Sequence, residues 1–252
     1  MSIWVTGDIH GNPVRLSTDI FPEQKEMTKE DFLIILGDFG LVWDYHGANK
    51  NEKYWLDWLE RKSFTTLFID GNHDNFSRLN SYETSEFYGG KCNFIRPSVI
   101  HLKRGQVFDL QGKKFFTFGG AKSHDISDGI LEPGDPRIKK WNKDYNKMCR
   151  INGVSWWKEE LPSQEEMDEG IHNLSKENNK VDYILTHCPP TSILKQMDGG
   201  SGLYQSDILS DYLQTIKENV EYKKWLFGHM HVNENYSWEN AVGLYEQIVR
   251  IL

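Results

Sequence analysis

Acidic, amide and imidazole side chains follow several short apolar runs of this chain, each at a position where a strand would end. The runs at residues 3–6 and 32–36 are rich in β-branched and aromatic residues, which predicts strands, and similar runs lie at 67–69, 183–186 and 225–227. Parallel strands present their carboxyl ends at one edge of a sheet, so the polar residues that follow these runs are expected to meet there. Those residues are Asp8, His10, Asp38, Asn72, His73, Asp74, His187, His229 and His231.

Two pairs of these residues are separated by a single position. Asp8 and His10 follow the first run, and His229 and His231 follow the last. Side chains two positions apart in a strand point to the same face, so each pair can converge on one ion. Carboxylate, imidazole and amide donors in this mixture favour a divalent ion such as manganese, iron or zinc over calcium.

Each residue also has a structural interpretation when it is taken alone. Asp8 could be a turn former, Asn72 a left-handed turn residue, and His187 a loop histidine before two prolines. The ordered series outweighs these separate interpretations, because every member follows a predicted strand. The other histidines lack this context, and we interpret them as surface or structural residues: His46, His101, His124 and His172.

Five short motifs together resemble the calcineurin-like metallophosphoesterase family. They are Gly7-Asp8-Ile9-His10-Gly11, Gly37-Asp38, Gly71-Asn72-His73-Asp74, Thr186-His187 and Gly228-His229-Met230-His231. The resemblance spans residues 7–231. It implies an α/β fold, a four-layer αββα sandwich of two mixed β-sheets flanked by helices, formed by a single domain over residues 1–252.

The resemblance also implies a centre with two divalent metal ions. The implied ligands are Asp8, His10 and His231 for one ion, Asn72, His187 and His229 for the other, and Asp38 for both. It implies further that His73 is the acid beside the metals and that Asp74 orients its ring.

Such a centre would suit the hydrolysis of a phosphoester, whose anionic oxygens repel a nucleophile. Two metal ions about 3.5–4 Å apart bind those oxygens and activate a hydroxide for attack. His73, as a cation, would protonate the leaving oxygen, and Asp74 would raise its basicity. The expected substrates are small phosphomonoesters or phosphodiesters, including nucleotides. The alternatives are a non-catalytic binding module on the same fold and a single-strand nuclease.

The sequence departs from the family pattern after Asp38. Many relatives continue with a second acid and a phosphate-binding arginine, as in the protein Ser/Thr phosphatases, whereas here the next arginine is Arg61. Protein phosphatase activity is therefore not expected, and another residue must bind the part of the substrate that does not react.

Substrate choice is expected to depend on an insertion at about residues 119–160. Its Gly-Gly start and the arginine before paired tryptophans resemble a bacterial and phage-associated branch of the family. We expect Asp125 and Arg150 to shape the substrate side of the site, with an aromatic ring that stacks on a planar group. The alternative is that Trp156 and Trp157 pack in the core.

Composition restricts the partners and the compartment. The net charge of −8 argues against binding of duplex nucleic acid, although it does not register the local charge of metals. Three widely spaced cysteines indicate neither a disulfide framework nor a cysteine metal cluster. No signal peptide or membrane span is evident, so a cytoplasmic protein without membrane contact is expected.

The remaining pattern predicts elements that surround the site. Helices are predicted at 14–20, 52–62, after Asp74, from a capping box at Ser163 to about 178, and at 206–218. The runs at 99–102, 107–110 and 114–118 predict an antiparallel meander, and those at 234–238 and 245–251 a closing hairpin. The glycines between 199 and 202 are interpreted as a flexible connection, because the P-loop lysine is missing.

Overall fold

The β-branched and aromatic runs of the sequence form strands in the computed structural model, which describes residues 1–141, 143–144, 146–202 and 204–252. The strands in this part of the chain are β1 Ile3–Thr6, β2 Phe32–Leu36, β3 Thr65–Ile69, β4 Thr84–Phe87, β5 Gly90–Arg96, β6 Val99–Leu102, β7 Gln106–Leu110, β8 Lys113–Phe118, β9 Gly129–Leu131, β10 Cys149–Ile151, β11 Tyr183–Thr186, β12 Lys224–Phe227, β13 Glu234–Tyr236, β14 Ala241–Gly243 and β15 Ile248–Arg250. All five apolar runs that precede the expected ligands are strands, as predicted.

The helices lie between these strands. The α-helices of the described residues are α1 Lys50–Glu60, α2 Phe76–Leu79, α3 Ile138–Trp141, α4 Gln164–Lys176, α5 Thr191–Asp198 and α6 Ile208–Asn219. Short 3₁₀-helices span Pro13–Leu16, Pro22–Glu26, Lys158–Glu160 and Ser237–Glu239. The predicted capping box is present, with the Ser163 side chain bonded to the backbone N–H of Glu166 at the start of α4. Among these described helices, none has the length and apolar composition needed to cross a membrane.

Two large sheets carry the fold. The first has the spatial order β15-β1-β2-β3-β6-β5-β4, and the second β13-β14-β12-β11-β8-β7. Strands β1, β2, β3 and β6 run parallel in the first sheet, as do β8, β11, β12 and β14 in the second, and the edge strands are antiparallel. Both sheets are therefore mixed, as predicted.

Three apolar layers hold the sheets and helices together. Ile34 and Leu67 of the first sheet pack with Leu185 of the second between the two sheets. On the outer face of the first sheet, Leu33 packs with Leu56 and Leu59 of α1. On the outer face of the second sheet, Ile184 packs with residues of α4 and α6. The predicted four-layer αββα sandwich is confirmed, and β2 is buried along its whole length because both of its faces are covered.

Three predicted elements differ from the structure. The helix predicted at 14–20 is only the 3₁₀ turn Pro13–Leu16, and the chain is extended again at Ser17. The predicted meander is split, because β6 pairs with β3 and β5 in the first sheet while β7 and β8 form a hairpin of the second. The predicted closing hairpin is also wrong, since β13 pairs with β14 and β15 pairs with β1 in the other sheet.

The insertion has more regular structure than its sequence indicates. Strands β9 and β10 form a parallel two-stranded sheet, and α3 lies between them. Two residues of the predicted insertion, Asn142 and Tyr145, lie outside the described residues. Its far end is fixed by Ser123, whose hydroxyl donates to the buried Glu160 carboxylate at 2.6 Å.

Candidate metal centre

The loops that follow β1 and β12 bring the first group of donors together. The ligand atoms of Asp8, His10 and His231 lie within 4.8 Å of one another, and we call these three residues the first donor cluster. His231 Nε2 lies 3.1 Å from the Asp8 carboxylate and 3.0 Å from His10 Nε2. Nitrogen and carboxylate atoms that converge at this spacing can bind one divalent ion.

A second group lies beside the first, at the ends of β2, β11 and β12. Asp38, His187 and His229 also have ligand atoms within 4.8 Å of one another, and they form the second donor cluster. His187 Nε2 lies 3.2 Å from Asp38 Oδ1 and 3.4 Å from the amide oxygen of Asn72. Asp38 also lies within 4.8 Å of His10 and His73, so its carboxylate stands between the two clusters.

Hydrogen bonds to the backbone fix the orientation of these donors. His187 Nδ1 donates to the Leu36 carbonyl at 2.7 Å, which leaves Nε2 directed toward Asp38. The backbone N–H of His229 donates to Asp8 Oδ1 at 3.0 Å, and that of His73 donates to Asp38 Oδ1 at 2.7 Å. Outer partners of this kind set the tautomer and the direction of metal ligands.

The backbone is strained at four of the candidate ligands. His10, Asp38, His229 and His231 have φ values of 44°, 43°, 63° and 50°, in the left-handed region. Each such residue costs on the order of 1–3 kcal/mol, and conformations of this kind persist at functional sites where the surrounding structure enforces them. The three histidines follow β1 and β12 instead of extending them, and His231 lies in the first donor cluster whereas His229 lies in the second, so the expectation that this pair converges on one ion along a strand face is not met.

Two glycines leave room for this convergence. A Cβ atom at Gly71 would overlap the Asp38 carboxylate and lie 2.8 Å from His187 Nε2. A Cβ atom at Gly228 would overlap Asp8 and lie 2.5 Å from the Leu36 carbonyl oxygen. The glycines that flank the ligands in sequence are therefore required by close packing around the donor atoms.

The buried carboxylates set the protonation of the rings beside them. Burial opposes a charged ring at His187, but Asp38 and Asp8 outweigh it and raise the pKa of His187 to about 10. Burial, and then the charge at His187, lower the pKa of His229 well below its usual value. The carboxylates thus favour positive charge in their surroundings, and a divalent cation bound there would displace the His187 proton, because a metal-binding imidazole must be neutral.

His73 lies at the edge of the donor clusters and contacts an arginine. Arg150 Nη2 donates to His73 Nε2 at 3.0 Å, and Arg150 Nε lies 2.6 Å from the Asp125 carboxylate. Burial first, and then Arg150, lower the pKa of His73 despite the opposing effect of Asp38. The ring is therefore neutral at neutral pH in this arrangement, whereas the sequence-based hypothesis has it as a cation.

Asp74 has a different set of contacts from the one that the family resemblance implies. Its buried carboxylate accepts hydrogen bonds from the backbone N–H groups of Gly71 and Gly40, both at 2.9 Å. Burial, and then Asp38, raise the pKa of Asp74 well above its usual value. Asp74 joins the loops after β2 and β3, whereas Arg150 donates a hydrogen bond to the His73 ring.

One histidine that we interpreted as a surface or structural residue lies against the site. His124 Nε2 is 2.8 Å from His229 Nε2, and the two rings are stacked with centroids 4.9 Å apart. The sequence carried a signal for this position, because His124 follows β8 and a Gly-Gly pair, like the ligands after the other strands. His101, in contrast, is buried and bonded to Asp70 and Asn93, which confirms its structural interpretation.

The paired tryptophans of the insertion are not equally placed. Trp157 is buried, and its Nε1 donates to the Ser77 hydroxyl at 3.1 Å. Its ring packs edge-on against Trp43, whose own ring lies 5.7 Å from that of His73. The core-packing alternative is therefore confirmed for Trp157.

A protein-family model and a curated protein both match the sequence of this chain. A family model described as calcineurin-like phosphoesterase matches residues 1–233. Lariat debranching enzyme A of Xenopus laevis is 23% identical over 258 residues, which cover 92% of this chain and 43% of that protein. The chain thus spans less than half the length of this curated relative.

Two solved structures are also similar to the chain. A phosphopantetheinyl hydrolase from Mycobacterium tuberculosis superposes with a TM-score of 0.47 at 16% identity, covering 100% of this chain and 95% of the other. A Staphylococcus aureus protein assigned as a 5′-nucleotidase, in complex with alpha-ketoglutarate, gives a TM-score of 0.45 at 12% identity, covering 99% of this chain and 50% of the other.

The family match includes every strand end that supplies the donor clusters. It begins before Asp8 and continues past His231, so both clusters lie inside the matched residues. The mixed sheets agree with the fold that the family resemblance implies, and the His/Asp clusters agree with binding of divalent metal ions. The chain belongs to the calcineurin-like phosphoesterase family, which places it among metal-dependent phosphoesterases.

Proposed function

We propose that this protein hydrolyses small phosphomonoesters or phosphodiesters, including nucleotides, with two divalent metal ions. The observation that carries the proposal is the pair of adjacent donor clusters, in which the Asp38 carboxylate of the second cluster lies within 4.8 Å of His10 of the first. Asp8, His10 and His231 would hold one ion, and Asn72, His187 and His229 the other. The oxygen and imidazole donors fit manganese, iron or zinc.

The metals and the protein have separate roles in this proposal. When bound, the two ions neutralise the phosphate oxygens and lower the pKa of water enough to supply hydroxide at neutral pH. Asp38 would be a ligand of both ions, and the bond from His187 to the Leu36 carbonyl keeps the ring directed toward Asp38. The short bond from the His73 backbone to Asp38 places the imidazole at the edge of the same site.

Arg150 would bind the anionic substrate, and His73 would protonate the leaving oxygen. Arg150 is buried and its Nε pairs with the Asp125 carboxylate. Its guanidinium could bind an anionic substrate in place of the phosphate-binding arginine that this chain lacks after Asp38. A bound phosphoester would add negative charge beside His73 and favour its protonated form, which can donate a proton to the leaving oxygen. Asp125 and Arg150 thus belong to the substrate side of the proposed site.

The enzyme is favoured over a non-catalytic binding module by what the chain retains. The sequence keeps all seven candidate ligands and His73, six of the seven lie in the groups of converging donor atoms, and left-handed backbone is maintained at four of them. Strain of this kind is maintained at active sites and ligand clamps, which supports a functional metal site, and the retained His73 favours catalysis at that site. The charge of −8 favours small phosphorylated substrates over a nuclease role.

Removal of divalent metal is expected to abolish hydrolysis. The test compares p-nitrophenyl phosphate with bis-p-nitrophenyl phosphate after chelation and after addition of manganese. Manganese should restore hydrolysis of at least one ester, and it should also raise the unfolding temperature, because the ion binds the folded state. The ester that is preferred separates a monoesterase from a diesterase. Full activity in the chelated protein would contradict the proposal.

Replacing His73 by Asn is expected to lower kcat by about 10²–10⁴-fold, the range found for loss of general acid catalysis. Manganese affinity should change much less, because His73 is not one of the proposed ligands. His172→Asn, an exposed change on α4, is the matched control and should keep full activity. Equal losses of turnover and metal affinity in His73→Asn would count against the acid role.

A further inference from the structure

A cavity of about 400 Å³ opens beside the second donor cluster. His229 and His124 form the wall nearest the metal site, and segments 122–127 and 204–207 form much of the remainder. This volume lies in the range of small-molecule sites, about 300–1,000 Å³. The cavity is therefore large enough for an organic group of nucleoside size next to the proposed phosphate position.

The walls of the cavity offer both stacking and hydrogen bonding. Ile126, Leu194 and the half-buried ring of Tyr204 supply apolar surface, and Ser127 and Gln205 supply exposed polar groups. Asp207 caps the start of α6, because its Oδ1 accepts hydrogen bonds from the backbone N–H groups of Leu209 and Ser210. An aromatic face with nearby amide and hydroxyl groups is the chemistry that recognises a nucleobase.

The cavity and the proposed acid lie on different flanks of the donor clusters. His73 packs against His10 and Trp43 and bonds to Arg150, and none of these four residues is among the described residues that line the cavity. The two flanks are joined by consecutive residues, because His124 contacts His229 whereas Asp125 pairs with Arg150.

This separation decides which substrate can use both flanks. A phosphomonoester has one organic group, which leaves and must meet the proton donor. A phosphodiester has a second organic group that stays on phosphorus, and only this group needs space away from His73. We propose that the cavity binds the retained nucleoside of a phosphodiester substrate, an inference that rests on the proposed function and narrows its substrate class.

The test uses substrates that share one leaving group and differ only in the retained group. They are the p-nitrophenyl ester of thymidine 5′-monophosphate and methyl p-nitrophenyl phosphate, with p-nitrophenyl phosphate as the monoester. In the manganese-loaded protein, kcat/KM for the thymidine ester should exceed that for the methyl ester by about tenfold or more, because base stacking contributes at this scale. Most of the preference should appear in KM.

Cavity variants should remove this preference. Ser127→Trp fills the cavity from an exposed wall position, and Tyr204→Ala removes the ring, so both should bring the ratio of the two diesters close to one. Tyr204→Phe should restore the ratio. Ser175→Trp places the same bulk on exposed α4 and should leave the ratio unchanged. A ratio near one in the unaltered protein, a preference for the monoester, or a preference that survives Ser127→Trp would overturn the proposal.

Calorimetric binding of thymidine 5′-monophosphate separates this inference from the proposed function. One outcome is that Ser127→Trp weakens nucleotide binding by about tenfold while the protein hydrolyses none of the esters. This outcome would support the nucleoside cavity and contradict the hydrolase. Hydrolysis of the methyl diester, with no nucleotide binding that depends on Ser127, would support the hydrolase and overturn the cavity.

Discussion

Asp38→Asn is expected to lower the metal-dependent hydrolysis of p-nitrophenyl esters by about a thousandfold or more, because Asp38 is the proposed anionic ligand of both ions. The substitution keeps the shape of the side chain but removes a buried negative charge that faces His187 at 3.2 Å. An amide oxygen would also be a weaker bridge between two cations than a carboxylate. The measurement is kcat/KM at saturating manganese.

A matched substitution separates this effect from a general loss of charge. Asp168→Asn changes an exposed carboxylate on α4 and should leave hydrolysis within about twofold, as expected for surface changes away from special features. Circular dichroism should show both variants folded. If Asp38→Asn kept more than a tenth of the activity while remaining folded, Asp38 would not be the shared ligand.

Arg104→Met is expected to lower the free energy of unfolding by about 3–5 kcal/mol, the range for breaking a buried ion pair. Arg104 Nε and Nη2 donate to Asp70 Oδ2 at 2.8 and 2.6 Å, and both side chains are buried. The substitution would leave the Asp70 carboxylate buried, with the hydrogen bond to the His101 ring but without its ion pair. Urea unfolding at neutral pH measures the loss.

A surface pair provides the control for this stability effect. Asp109→Asn removes one of two carboxylates beside the partly exposed Lys114, at 3.4 Å from its Nζ, while Glu177 remains at 3.5 Å, and it should cost no more than about 1 kcal/mol. Equal losses in Arg104→Met and Asp109→Asn would contradict a structural role for the buried pair.

The same pair should make stability depend on acid pH. Burial would raise the pKa of Asp70, but Arg104 and His101 outweigh it and hold the pKa below its usual value. The contribution of a carboxylate with a lowered folded pKa is present above its unfolded pKa of about 4 and is lost as the pH falls through the folded value. The difference in unfolding free energy between the wild type and Asp70→Asn should therefore shrink below about pH 4.

The sequence predicted the strands that carry the site because their signals are local. An apolar run followed by Gly-Asp or Gly-His identifies both a strand and its polar end, as at Asp38 and His187. The capping box at Ser163 is equally local, and the start of α4 agrees with it. Local patterns of this kind need no knowledge of the partner strands.

The contacts that the sequence did not predict join distant parts of the chain. Arg150 meets His73 across 77 positions, and His124 meets His229 across 105. The pairing of β15 with β1 connects the two ends of the described chain, and no local turn specifies it. Sheet partners and the neighbours of the acid thus depend on tertiary packing, which residue spacing alone does not encode.

The most direct test of the two-metal centre is the metal content of the folded protein. Chelated protein would be dialysed against manganese, and bound metal would be counted by mass spectrometry beside calorimetric titration. We expect two manganese ions per chain in the wild type and a marked loss in Asp38→Asn, because the carboxylate that is removed is the proposed ligand of both ions. Wild-type protein that is folded and binds no divalent metal would contradict the account.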